Sequence, residues 1–406
     1  MARLKLFRTR DELAQVRAEL DGLKKRSADW DLKGTTLLEL INANGVSSVG
    51  PRSSVNLTGV LACVSLRSEL TASFPKGIYR RTAVGREEII DDPLYKILSY
   101  QPNPYMNAFT FWELVNTHLD LWGNSYVYIS RYRGGISALT PVDPDKVKVL
   151  AEKGKLIYRV DGTKDSVLDG DHSPDKFLHF KDFSFDGIVG LSRIALARKT
   201  IELGLQAEEF GLDFFKKGGN SKGVIEMDAQ MGDEAFSTFK KRWDANVDHG
   251  TPLLDSGMKY KQLVIPPEDA QFIATREFQL QDVARIFRVP PHLLADLSRA
   301  TFSNIEHSDI QFVKYGLRPM VKRYEAELEL KLFSSDDLGK KSIRFNLDGI
   351  LRGDTASRTA YYSAMKQNKI MTTNEIRAIE NMNPIDGGDI LENPATSSAD
   401  KNKNDE

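Results

Sequence analysis

One cysteine, Cys63, is all the thiol chemistry in 406 residues. A lone thiol can form neither an internal disulfide nor a thiolate metal cluster, and it fits a reducing compartment. Its apolar neighbours make Cys63 read as a small buried hydrophobe. Histidine is scarce too. The six (His118, His172, His179, His249, His292, His307) are scattered and include no His-Glu-x-x-His pair, which removes the usual zinc signatures. No apolar run approaches the roughly 18–20 residues of a membrane span, so no membrane partner is expected. The N-terminal MARLKLFRTRDELAQ is basic without an apolar core, unlike a secretory signal. A charge excess is also missing, since 56 basic and 57 acidic residues leave −1 net. Proteins that grip nucleic acid through its phosphates carry a basic excess, so a regulator that holds DNA is disfavoured.

Catalytic patterns are equally thin. Gly218-Gly219-Asn220-Ser221-Lys222-Gly223 lacks Walker spacing and reads as a turn. Gly190-Leu191-Ser192-Arg193-Ile194 lacks the second glycine of a nucleophile elbow, and Ser192 reads as a helix N-cap. Glu306, His307 and Asp309 are close in sequence, but on a helix only Glu306 and Asp309 share a face. That trio therefore reads as capping and surface polarity, with no metal site. Asp91–Asp92 and Asp182–Asp186 read as turn residues.

What is present is ordinary in bulk, with 41% hydrophobic and 28% charged residues, as in a soluble globular protein of two or three substructures. The most informative stretch is 283–333. Pro290 and Pro291 fix φ and push Val289 out of the α region, so a helix stops there. Helix resumes near Ser303 or Asn304, with Glu306 complementing its N-terminal dipole. Val313, Leu317, Met320, Val321, Tyr324 and Leu328 then recur at helical spacing. A helix from Ser303 to Phe333 would be about 46 Å long, and Gly316 and Pro319 predict a bend within it.

Elsewhere, Leu13, Val16, Leu20 and Leu23 mark a short amphipathic helix within residues 1–33, and 34–52 reads as a linker. Leu57–Phe74 reads as a helix, 77–85 as a hairpin, and Ala108–Leu121 as a helix with Phe109, Phe111, Trp112, Leu114 and Val115 as core. Ser125–Arg131 alternates as a strand, and KVKVL, LIYRV and FLHF continue as strands. Leu191–Lys217 predicts a helix of about 40 Å, with Ile194, Ala197, Ile201, Leu205, Phe210 and Phe214 on its buried side. Strand–helix–strand over 218–267 precedes a second long helix over 268–289. On that helix Arg276, Arg285 and Arg288 alternate with Glu268, Asp269, Glu277 and Asp282. Ion pairing explains Arg276, whereas Arg285 stays open between pairing and phosphate contact. The polar end of the chain reads as disordered.

These features, in this order, closely resemble the portal proteins of tailed bacteriophages. The residues that carry the resemblance are RIFRVPPHLL (285–294), ATFSNIE (300–306), YGLRPMVKRYEAELELKLF (315–333), LWGNSYVYI (121–129), DGIVGLSRI (186–194), LDGILRGD (347–354) and TTNEIRAIENMNPIDGGD (372–389). The resemblance implies an α+β portal fold. Its parts would be an N-terminal helix and linker (1–54), a mixed α/β wing with a small β-subdomain (55–190) and a stem helix (191–217). A small α/β clip (218–267), a second stem helix (268–289) and a tunnel loop (290–303) would follow. A long kinked wing helix (304–342), a crown-like helical region (343–390) and a disordered tail (391–406) would complete the chain. Arg193 departs from the proline common at that position, and the short C-terminal region argues against a large crown.

The implied function is a non-enzymatic ring, twelve-fold by resemblance, at one capsid vertex, through which double-stranded DNA is packaged and ejected. A near-neutral lining would let the duplex pass where tight phosphate contacts would hold it. Implied partners are further copies of the chain, the terminase large subunit, the major capsid protein and a head-completion or tail adaptor protein. No cofactor is implied. The location would be the virion, after assembly in the host cytoplasm. The resemblance assigns the tunnel loop to Asp296, Leu297, Ser298, Arg299, Ala300, Thr301, Phe302, Ser303 and Asn304. Channel lining falls to Arg276, Arg285 and Arg288, and clip docking to Asn220, Lys222, Asp248, His249, Lys259 and Lys261. The alternative is a DNA-processing hydrolase with an unrecognised site, and a membrane pore is opposed by the missing apolar span. Deleting 223–264 is expected to leave the wing folded, by circular dichroism and thermal melting, while abolishing motor and adaptor docking in pull-down. A deletion that unfolds the whole chain would refute a separate clip.

Overall fold

The computed structural model describes residues 49–391, except 84, 153–154, 164–167, 217–222, 227–231, 247–257, 263–268, 298–301, 348–354 and 381. The expected N-terminal helix and C-terminal tail lie outside the described residues. After a short helix, α1 (Pro51–Ser54), comes α2 (Thr58–Ser73), which runs one residue inside the expected Leu57–Phe74 at each end. Val60, Cys63, Val64, Arg67 and Thr71 are all buried on it, whereas Thr58, Leu61, Glu69 and Ser73 form a narrower exposed stripe on the opposite side. Burial pushes the Cys63 thiol up to about 12.

Next come strands β1 (Lys76–Thr82) and β2 (Gly85–Glu88) and helices α3 (Pro93–Ser99) and α4 (Ala108–Trp122). The Asn107 side chain accepts the Thr110 amide to start α4, and Gly123 ends it at φ 72°. A side chain at Gly123 would collide with the Leu191 carbonyl, so glycine is required for the chain to cross there. Phe111, Trp112 and Val115 of α4 are fully buried, whereas Phe109 is exposed.

Strands β3 (Asn124–Tyr132), β4 (Gly135–Val142) and β8 (Phe177–Lys181) form an antiparallel sheet in the order β4-β3-β8. A second sheet holds β5 (Val147–Glu152), β6 (Lys155–Val160) and β7 (Gly170–His172). Between them lies a satellite core of Tyr126, Val142, Val147, Tyr158, Val160, Leu168 and Phe177. Its polar centre is His179. Tyr158 Oη donates to His179 Nδ1 at 3.0 Å, and His179 Nε2 donates to Asn124 Oδ1 at 2.9 Å. Burial holds that imidazole well below its ordinary range, hence neutral.

The expected single helix over 191–217 is two helices, α5 (Arg193–Leu196) and α6 (Arg198–Lys216), with Ala197 leaving helical geometry at φ −100°, ψ 18°. Ser192 caps α5 by accepting the Ala195 amide, and its hydroxyl donates to the Leu121 carbonyl. The expected buried side needs correction. Ile194 and Ile201 are buried, but Phe210 is 52% exposed, because nine residues at about 100° each place it opposite Ile201. The Phe214 side chain lies outside the described residues.

Beyond α6, β9 (Gly223–Glu226) pairs antiparallel with β10 (Lys259–Gln262) across α7 (Asp233–Asn246). Helix α8 (Asp269–Phe287) returns along α6 and packs on α2. The expected long helix is α9 (Phe302–Gln311), a π-helical turn over Phe312–Leu317, and α10 (Arg318–Leu332). The bend predicted from Gly316 and Pro319 thus takes the form of a π-bulge.

The spacing places the helix end at Phe333, and α10 ends at Leu332. The wing-helix and crown-like bounds (304–342 and 343–390) need correction, because β11 (Lys341–Phe345) lies across them and pairs with β1 in a sheet ordered β11-β1-β2. The outer edge of β11 is covered by α10, since Glu329 accepts the Ile343 amide and Glu325 accepts the Phe345 amide, both at 3.0 Å. Those carboxylates occupy edge donors that another strand could otherwise use. Helices α11 (Thr355–Gln367) and α12 (Thr373–Ile379) complete the described chain.

One ionic group joins four of these elements. Arg67 of α2 donates to both oxygens of Asp120 on α4, at 2.8 and 3.1 Å, with both side chains fully buried. The same guanidinium reaches the Phe287 carbonyl at 3.0 Å and Met320 Sδ of α10 at 3.4 Å. Asn116 Nδ2 supports Asp120, and Tyr324 Oη donates to Asn116 Oδ1. Arg67→Met strands a buried carboxylate and is expected to cost about 3–5 kcal/mol in urea unfolding. Arg67→Met with Asp120→Leu should recover part of that loss, whereas additive losses would contradict the pairing.

Candidate functional site

The candidate site is the junction where α8 ends and the loop toward α9 begins. Two arginines hold the last carbonyls of α8. Arg67 reaches Phe287 O, and Arg193 Nη1 reaches Ile286 O at 3.1 Å. A helix C-terminus carries partial negative charge, so cations there are favourable. Arg193 is anchored in turn by Asp182, which also accepts from Arg323 of α10 at 2.8 Å. Burial raises the Asp182 carboxyl, but bonds from Arg193 and Arg323 outweigh it and hold the group below the usual carboxylate range.

After Phe287 the chain turns sharply. Arg288 adopts φ 56°, an uncommon left-handed conformation for a side-chain-bearing residue. Pro290 and Pro291 open a 3₁₀ turn over Pro291–Leu294, which ends at Ala295 with φ 64°. The π-bulge lies against this turn. A Cβ at Gly316 would sit 3.2 Å from the Arg288 carbonyl and 2.8 Å from the Phe312 ring, so glycine permits the close approach. His292 Nε2 and Asp309 Oδ1, 2.8 Å apart, tie the turn to α9.

These segments enclose a cleft of about 590 Å³, lined by Gln281, Arg285, Arg288, the diproline, His292, Asp296, Ile305, Ser308, Gln311, Phe312 and Tyr315 among others. Several expected site residues meet here. Asp296 lines the cleft and Leu297 beside it is 62% exposed. Ser298, Arg299, Ala300 and Thr301 lie outside the described residues. Phe302, Ser303 and Asn304 form the first turn of α9, and their side chains are likewise outside. Arg285 pairs with Asp282 and lies 5.7 Å from the Phe278 ring centre. Arg288 is exposed, with no acidic partner among the described residues. Arg276 pairs across to Glu208 of α6 at 3.7 Å and is not part of the cleft. The clip candidates are elsewhere. Lys259 opens β10 and is exposed, Lys261 follows on the same strand, and Asn220, Lys222, Asp248 and His249 lie outside the described residues.

Sequence reasoning missed Arg67, Asp120 and the role of Arg193, and it read Asp182 as a turn residue, whereas that carboxylate is buried between Arg193 and Arg323. The available signals were a lone arginine inside the apolar run LACVSL–SEL and an aspartate inside LDLW. Among the described residues no group of three or more His, Cys, Asp or Glu side chains is placed to hold a metal ion. No helix there is long and apolar enough to cross a membrane.

The family model described as "Phage portal protein" matches residues 58–381. The "Portal protein" of Enterobacteria phage HK97 is 34% identical over 356 residues, covering 85% of this chain and 83% of that one. A solved HK97-family phage portal protein from Corynebacterium diphtheriae superposes with a TM-score of 0.57 at 17% identity, covering 76% of this chain and 98% of that one. A neck of a native gene transfer agent particle, computed with C12 symmetry, gives 0.53 at 20% identity, covering 86% and 99%.

Since Asp182 titrates below its unfolded value near 3.9, its contribution is present above about pH 4 and is lost as pH falls through the lower folded value. Asp182→Asn should therefore lower stability in urea at pH 7 and flatten the acid loss below about pH 4. Identical pH profiles for the two proteins would contradict the assignment.

Proposed function

The chain belongs to the phage portal protein family, and from that membership we propose that it forms the ring at one capsid vertex through which double-stranded DNA is packaged and ejected. The observation that carries this reading is the family match over residues 58–381, which spans the whole α6–α8 hairpin and the junction with its cleft. The family is a structural one, and a virion location follows from it. Twelve subunits are proposed by analogy with the C12 neck. Residues 55–190 would form the wing, α5–α6 and α8 the stem, and β9–α7–β10 the clip. The clip would dock the terminase large subunit during packaging and an adaptor afterwards, and the wing would meet the major capsid protein. Assembly in the host cytoplasm completes the proposal.

The charge pattern supports passage without capture. Net charge is −1, Arg276 and Arg285 are paired with acids, and the loop over 296–304 holds one arginine and one aspartate. Each unpaired cation on phosphate adds a counterion-release term that holds the duplex. Arg288 is the strongest stem candidate for such a contact, as the one of the three arginines without an acidic partner among the described residues.

Negative-stain imaging of the purified protein tests the assembly: rings with a central hole are expected. Compact monomers with divalent-dependent DNA cleavage would replace this reading with a hydrolase. Single-molecule packaging tests the loop. Ser298→Lys with Thr301→Lys should slow translocation, and Arg299→Ala should leave rings intact while changing retention of the last-loaded DNA. Unchanged velocity and retention in both variants would reduce the loop to a connector.

A further inference from the structure

Helix α6 carries two apolar stripes where one would suffice for a monomer. Ile201, Gly204 and Gly211 are buried on one side, with α8 packed along the helix. The opposite side presents Leu203, 57% exposed, and Phe210 at 52%, with Leu196 on α5 at 52%. The seven-residue step keeps Leu203 and Phe210 on one face of α6, and Leu203 stands about 200° around the helix from Ile201. On α8, Phe278 is a bulky aromatic, 58% exposed.

A closed ring is built from a heterologous contact, so one chain must carry both a surface and its complement on opposite sides. Rotation about the ring axis has no rise, so the heights of residues within one subunit are also their heights in its neighbour. Two contacts fix the height of α8 against α5–α6: Arg276 with Glu208 at 3.7 Å, and Arg193 with Ile286 O at 3.1 Å. Counting along the antiparallel pair from either contact brings Phe278 level with the stretch between Ile201 and Gln206, centred on Leu203. Tilting the stem would slide this pairing by about one turn, or 5.4 Å, which stays within the stripe.

We infer that Phe278 of one subunit is a knob that inserts between Leu203 and Phe210 of the adjacent subunit, over Gln206 and Ala207. The inference rests on the ring reading above and assigns the stem interface that closes the ring. Leu203 lies about 140° around α6 from Glu208, and Phe278 about 200° around α8 from Arg276, the pair that faces across the hairpin, so Leu203 and Phe278 are placed to meet between copies. Arg285, held against the Phe278 ring and paired with Asp282, forms the polar rim of the same contact, as an apolar centre requires.

The test uses the full chain, in which the single native thiol is buried. Leu203→Cys with Phe278→Cys, oxidised and run under denaturing conditions, should give a ladder of covalent oligomers, with each single variant stopping at monomer or dimer. Leu203→Asp should keep the melting temperature of the monomer while raising the concentration at which rings half-dissociate by about tenfold or more. Wild-type rings with no ladder and no effect of Leu203→Asp would overturn the interface and leave the ring reading standing. Wild-type protein that forms no rings in light scattering or imaging would overturn both. Leu203→Asp keeps the second arm decisive if the cysteine pair misfolds.

Discussion

The backbone carbonyls that end α8 are held by two guanidinium groups from the body of the protein, and the rest of the junction depends on that hold. Arg67 and Arg193 donate to Phe287 O and Ile286 O, and each is held by a carboxylate, Asp120 or Asp182. Burying such charges is costly, and their mutual attraction only partly offsets it. The same cost makes the arrangement specific, because displacing the helix end would strand two arginines and two aspartates away from water. Position is gained where α8 ends and the diproline turn begins.

The surrounding structure extends that hold. Arg323 adds α10 to the Asp182 group, and Tyr324 adds it to the Asp120 group through Asn116. Glu325 and Glu329 then fasten α10 to β11, and through β11 to β1. The helix over Arg318–Leu332 is thus fixed to the body, and the His292–Asp309 contact and the close approach at Gly316 join α9 and the π-bulge to the turn.

Local chemistry made much of this legible in the sequence. The proline pair ended α8, an apolar run marked α2, periodicity marked α10, and strand–helix–strand order marked the insert between α6 and α8. Failures came where tertiary partners decided the outcome. Phe210 was assigned to the buried side because hydrophobicity alone cannot tell an inner stripe from an outer one. Lys341–Phe345 was assigned away from the sheet because its pairing partner lies more than 250 residues earlier. The buried ionic groups were missed for a related reason: an arginine has the same letter on a surface as in a core, and only its partners show which it is. Of the candidate site, Arg285, Arg288 and Asp296 do meet in one cleft, but the residues that hold the cleft in place were not foreseen.

Native-state amide hydrogen exchange on the wild-type chain tests the central claim most directly. If Arg67 and Arg193 fix the end of α8, the Arg288 and Val289 amides, bonded to Arg285 O and Ala284 O, should exchange only through global unfolding. Their opening free energy should match that of Val115 and Leu119 in the core of α4. Exchange at the rate of a frayed helix end, with the α4 amides still protected, would contradict the account.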